Sequence, residues 1–143
     1  MTVFDRSNRF TGEDVGRDAR YRQVVTFSES GRLVEVRALA SCTGSFPVVT
    51  IFAVGPDGTP VDDVLSGTAV QFLNQVPHTS DQLQPAALPR ALTVRPGDRV
   101  ALEVFVIGCG VAINPKVAYA GGALFINGEK QPGALVFQTL VAR

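Results

Sequence analysis

Residues 99–107 read RVALEVFVI, and this stretch decides the fold class. Val100, Leu102, Val104 and Val106 occupy alternate positions, the two-residue period of a strand with one buried face, and Glu103 falls on the other face. Valine's branched side chain suits a pleated sheet better than a helix. The same signature recurs on both sides. Tyr21–Ser28 (YRQVVTFS) reads as a first strand, and Ser28–Gly31 turns the chain into Arg32–Ala40. There Val34, Val36 and Ala38 share one face, and Glu35 and Arg37 the other. Pro47–Val54 is apolar on both faces and reads as central. Gly67–Asn74, Ala91–Val94, Val111–Tyr119, Ala123–Ile126 and Ala134–Val141 complete the set.

Between the strands stand glycine and proline. Gly55–Pro60 (GPDGTP) and Arg95-Pro96-Gly97-Asp98 are tight turns, and Asn127-Gly128 is the strongest short hairpin signal in the chain. Pro77–Pro89 reads as a long surface connection. No segment repeats with a helical period, so almost no helix is expected. About eight to ten short strands at such spacing make an all-β, jelly-roll-like antiparallel β-sandwich. Residues 1–20 are polar and aperiodic. They read as an N-terminal arm preceding a single β-sandwich domain, 21–143.

Charge excludes two classes of partner. Lys+Arg and Asp+Glu are both 13, so the basic excess that phosphate-binding domains carry is missing, and so is a polybasic membrane-binding patch. Residues 1–20 contain no apolar signal-peptide core, and no run of about eighteen apolar residues occurs. Neither nucleic acid nor membrane is an expected partner, and no export signal is read.

Little in the chain points to catalysis. His78 is the one histidine, with Ser80 and Asp81 beside it, but a triad needs its members presented from separate rigid positions. Glu35 and Glu103 could act as a carboxylate pair only across a cleft, and outward charges on a solvated sheet are the ordinary explanation. No nucleophile elbow, phosphate-binding loop or zinc-protease motif occurs. No catalytic residue is expected, and the chain reads as non-enzymatic. Asp57, Asp62 and Asp63, with Asp98 from another turn, are the residue types of a structural Ca²⁺ site, and equally the aspartates that turns favour. No other cofactor is expected.

Cys42 and Cys109 each follow a strand and each have a glycine nearby. Two readings stand. Paired, they would close a long loop worth about 4 kcal/mol on the chain-entropy estimate; unpaired, they are two half-buried thiols in a reducing compartment. For glycan binding, Tyr119 before Gly121-Gly122 is the best aromatic, with Asn127 and Gln131 across the hairpin. The absence of tryptophan ranks that function second, since Phe27, Phe52, Phe72 and Phe137 read as core. In the arm, Arg6, Arg9, Arg17 and Arg20 alternate with Asp5, Glu13, Asp14 and Asp18, and Phe4 and Phe10 are interspersed. A mixed-charge arm with two aromatics fits a docking tail that orders against a neighbouring subunit.

From Arg20 onward the order of features resembles a recurrent jelly-roll β-sandwich module of bacterial extracellular and bacteriophage virion proteins. The resemblance is carried by Gln23–Phe27, the strand pair across Leu33–Val54, Asp57-Gly58-Thr59-Pro60 with Val64-Leu65, Leu92–Leu102, Tyr119-Ala120-Gly121-Gly122, and Leu135–Val141. Ala134 departs from the aspartate common there, and Val100 from a frequent tyrosine. The resemblance implies an attached scaffold or carbohydrate-facing role in a larger assembly. Joined to the unread export signal, it implies a virion component: a capsid decoration, head-fibre or tail accessory protein, present as an oligomer or in many copies and docked through its arm. The alternative is a carbohydrate-binding module recognising host surface polysaccharide.

Overall fold

A computed structural model of the chain describes residues 2–8, 14–17, 20–38, 40–42, 48–65, 70–71, 84–105, 109–114 and 121–143. Among them there is no helix, and every strand pairing is antiparallel. The strands in chain order are β1 (Thr2–Asn8), β2 (Asp14–Arg17), β3 (Arg20–Thr26), β4 (Gly31–Ala38), β5 (Ala40–Cys42), β6 (Val48–Val54), β7 (Pro60–Val64) and β8 (Val70–Gln71). They continue with β9 (Gln84–Val94), β10 (Arg99–Phe105), β11 (Cys109–Asn114), β12 (Ala123–Ile126), β13 (Glu129–Gln131), β14 (Ala134–Leu135) and β15 (Phe137–Ala142).

One sheet runs β1-β15-β4-β9 and the other β13-β12-β3-β10-β6-β7, with β8 also on β6. Setting aside the β12–β13 hairpin and β2, β5, β11 and β14, and taking β6–β8 together, the chain alternates between these two curled layers as a jelly roll does. A third, smaller set joins β14, β11 and β2, with β5 also on β11. The fold is all-β and sandwich-like, as the alternation of residues 99–107 requires.

The core lies between the layers. Tyr21 and Val25 of β3, Val49 and Ile51 of β6, and Val100, Leu102 and Val104 of β10 face Leu33, Val36 and Ala38 of β4 and Phe137 and Val141 of β15. Burying each such side chain is worth about 1.5–3 kcal/mol, which is why a chain so rich in turns holds together. Gln23 is fully buried among them. Its Nε2 donates to the carbonyls of Val24 and Ala123, and its Oε1 accepts the Leu135 N–H at 3.0 Å, bolting β3 to β14.

Several readings change. Val34 does not share a face with Val36 and Ala38: the register breaks between Leu33 and Glu35 on the β9 side and beside Leu140 on the β15 side. The extra residue moves Leu33 into the core in its place, as a β-bulge does. Residues 84–89, expected in the long connection, belong to β9, an edge strand. An edge position tolerates Pro85 and Pro89 because one side of the strand needs no N–H donor. Pro60, read as the last residue of a turn, opens β7, which runs on to Val64. Within the opening segment, β1 runs along β15 and β2 along β11.

Two turns show why their residues are needed. Asn127 (φ 51°) and Gly128 (φ 86°) both take left-handed backbone, the conformation of a two-residue hairpin loop with right-handed strands on either side. Gly31 opens β4 at φ 152°, where a Cβ would fall on the carbonyl oxygen of Ala142 and crowd a Val141 methyl.

Candidate functional site

The outward face of the β3–β10 sheet carries the chemistry. Register builds it row by row. Arg22 of β3 lies opposite Glu103 of β10 on one side and Phe125 of β12 on the other, and Glu103 lies opposite Thr50 of β6. The neighbouring row is apolar: its Val24, Ala101 and Phe52 join Phe125 of the Arg22 row in a second, smaller buried cluster on this face.

Glu103 sits outward, as its place in the alternation demands, yet it is only 3% exposed. Its Oε1 accepts from Arg20 Nη1 at 2.8 Å and its Oε2 from Arg22 Nε at 2.8 Å. Arg22 extends further to Asp62 of β7 at 2.9 Å, with its guanidinium carbon 4.1 Å from the centroid of Phe52. Burial disfavours the Arg22 charge, but the hydrogen bonds to Glu103 and Asp62 outweigh it and raise its pKa. The cluster thus spans three strands, with charges that sum to zero.

Among the described residues, two depressions open on this face. One, of about 280 Å³, lies among Arg20, Arg22, Pro60, Asp62, Asn127 and Gly128, where the β6–β7 and β12–β13 hairpins rise on either side. The other, of about 400 Å³, is shallower and lies over Val24 and Thr26 between Asp57, Arg99, Gly121 and Lys130. Arg20 and Asn127 are tied twice, since Asn127 N–H donates to the Arg20 carbonyl and Asn127 Oδ1 accepts the Arg20 N–H. Val61 and Val64 of β7 and the following Leu65 are large apolar side chains at 39–45% exposure.

The expected residues scatter. Of the six docking candidates, Phe4 and Arg6 lie in β1, Arg17 in β2 and Arg20 in the Glu103 cluster; Arg9 and Phe10 fall outside the described residues. Asn127 and Gln131 share the β12–β13 hairpin, and Tyr119 falls outside the described residues, as do His78, Ser80, Asp81, Phe72 and Val106. Glu35 and Glu103 do not face each other. They occupy different sheets, and Glu35 pairs with Arg37 instead. Among the aspartates, Asp57 and Asp98 cap their own turns by accepting the Thr59 and Arg95 N–H, whereas Asp62, in β7, pairs with Arg22. Among the described residues, no three His, Cys, Asp or Glu side chains are arranged to hold a metal ion. Cys42 and Cys109 stand directly opposite in the β5–β11 pair.

Asp57 titrates below the usual carboxylate range, because its carboxylate accepts the Thr59 N–H at 3.1 Å, with the Thr59 hydroxyl and the charge of Arg99 adding to the effect. A depressed folded-state pKa stabilises the fold above the unfolded value, about 3.9, and that stabilisation fades as pH falls through the folded value. The melting-temperature lead of the native protein over Asp57→Asn should therefore be full at pH 5 and shrink below about pH 4. A lead that is constant down to pH 2 would contradict this assignment.

Sequence inspection missed Arg22, Arg99 and Lys130. Arg22 stands in the sequence beside Gln23 and so on the other face from Gln23 and Val25, but its opposition to Glu103 depends on the β3–β10 register. Comparison of the chain with family models, with characterised proteins and with solved structures returns no match.

Proposed function

We propose that the chain is a non-enzymatic structural and attachment protein that works in multiple copies, with a bacteriophage particle as its setting. The motif order from Gln23 to Val141 supports the setting. The observation that carries the attachment role is how the N-terminal segment is held. Among the described residues, β1 pairs with β15 alone, at the outside of its sheet, in the register Thr2↔Ala142 to Asn8↔Phe137. A strand held at an edge by one neighbour can be given to an adjacent copy as well as to its own sheet. Glu103 fits the same reading, because two guanidiniums engage both oxygens of its carboxylate as a structural tie.

Removing residues 1–8 should leave the β-type circular dichroism spectrum and abolish self-association in sedimentation velocity. Unchanged sedimentation beside the full chain would remove β1 from the contact. Polysaccharide recognition is the second reading, favoured by the depression at Asn127, where Arg20, Arg22 and Asp62 gather polar groups above Phe52. A glycan array separates the two, since a module that only assembles leaves it blank.

A further inference from the structure

Cys42 closes β5, and β5 follows β4 of one main sheet after a single residue. Cys109 opens β11, which follows β10 of the other main sheet. The antiparallel β5–β11 pair sets Cys42 opposite Cys109, Ser41 opposite Gly110 and Ala40 opposite Val111. We infer that Cys42 and Cys109 form an intrachain disulfide that clasps the two layers of the sandwich together at one end.

The backbone supplies the geometry. Directly opposed residues of an antiparallel pair share a face and have Cα atoms about 4.5 or 5.5 Å apart. Both distances lie within the roughly 4.4–6.8 Å that a disulfide spans. The register is specific: a slip of one residue would put Cys42 opposite Gly110 and separate the two thiols onto different faces. The bond links two positions far apart in sequence, each just beyond a strand in the middle of its sheet. Covalent closure there removes much of the freedom of the unfolded chain, and it prevents the layers from parting at the end where β2, β5, β11 and β14 add a third set of pairings.

Formation is a two-electron oxidation. Each thiol gives up its proton, the two sulfurs join, and the electron pair passes to a disulfide oxidant such as oxidised glutathione, which leaves as two thiols. A reducing cytosol keeps the pair open, and transfer to an oxidising medium closes it.

The full chain, reduced and then incubated with oxidised glutathione, would be alkylated and digested without reduction. The expected product is one pair of peptides joined through Cys42 and Cys109, from a chain that stays monomeric on a non-reducing gel. The oxidised chain should melt roughly 10 °C above the reduced one. The double variant C42S/C109S should melt with the reduced protein and ignore the oxidant. Two alkylated cysteines after oxidation, or chains joined to one another by the bond, would overturn the inference. The peptide map uses the unaltered chain, so it decides the matter even where the double variant does not fold.

Discussion

Glu103→Ala is expected to destabilise the protein by about 3 kcal/mol. The side chain is 3% exposed and holds Arg22, itself only 17% exposed, from within the sheet. Truncation leaves a buried guanidinium above Phe52 with Asp62 as its acidic partner, and that aspartate is 87% exposed. The large cost comes from stranding one charge of a buried pair, which exceeds the net worth of the pair itself. The contact with Arg20, 53% exposed, is screened by solvent and adds little. Asp62→Ala supplies the control, because it removes the other acid on Arg22 from a solvated edge and should cost under about 1 kcal/mol. Urea unfolding measures both. Equal losses for the two variants would mean that Glu103 is not the buried member of the cluster.

Gln23→Ala should cost about as much, roughly 3 kcal/mol, by two separable routes. One is the cavity left in a fully buried site of the core. The other is the loss of the acceptor that Gln23 Oε1 offers the buried Leu135 N–H at 3.0 Å. Gln23→Met keeps nearly the same volume and so isolates the second route, worth about 1–3 kcal/mol. Amide hydrogen exchange locates it: the Leu135 N–H should be strongly protected in the native protein and lose that protection in both variants. Retained protection in Gln23→Met would show that another acceptor serves the amide.

The two predictions mark how far the sequence reaches. Which face each residue of β10 takes was legible from RVALEVFVI, because a strand's period is two whatever lies beside it. The burial of Glu103 was not, since it depends on Arg22 from another strand and on β7 closing over that row. Gln23 stood in the sequence simply as a member of the first strand; its partner at Leu135 lies more than a hundred residues away. The prolines of β9 suggested a loop, and only the sheet order reveals an edge that tolerates them. Residues 2–8 lack a strand's alternation because their pairing with β15 is made by backbone groups, which every residue but proline carries alike. For the docking and glycan residues the sequence supplied types without neighbours. Of these, the described structure draws Arg20 and Asn127 together.

The β1–β15 pairing also governs how the domain meets mechanical load. Thr2 stands opposite Ala142, so tension applied between the two ends pulls across the strands at the open end of the ladder. The hydrogen bonds are then loaded singly and part in succession, as a zipper does, whereas strands pulled lengthwise past each other would share the strain. Under tension β1 peels away first, at low force. The β15 edge is bared while β4 and β9 still hold the rest of that sheet.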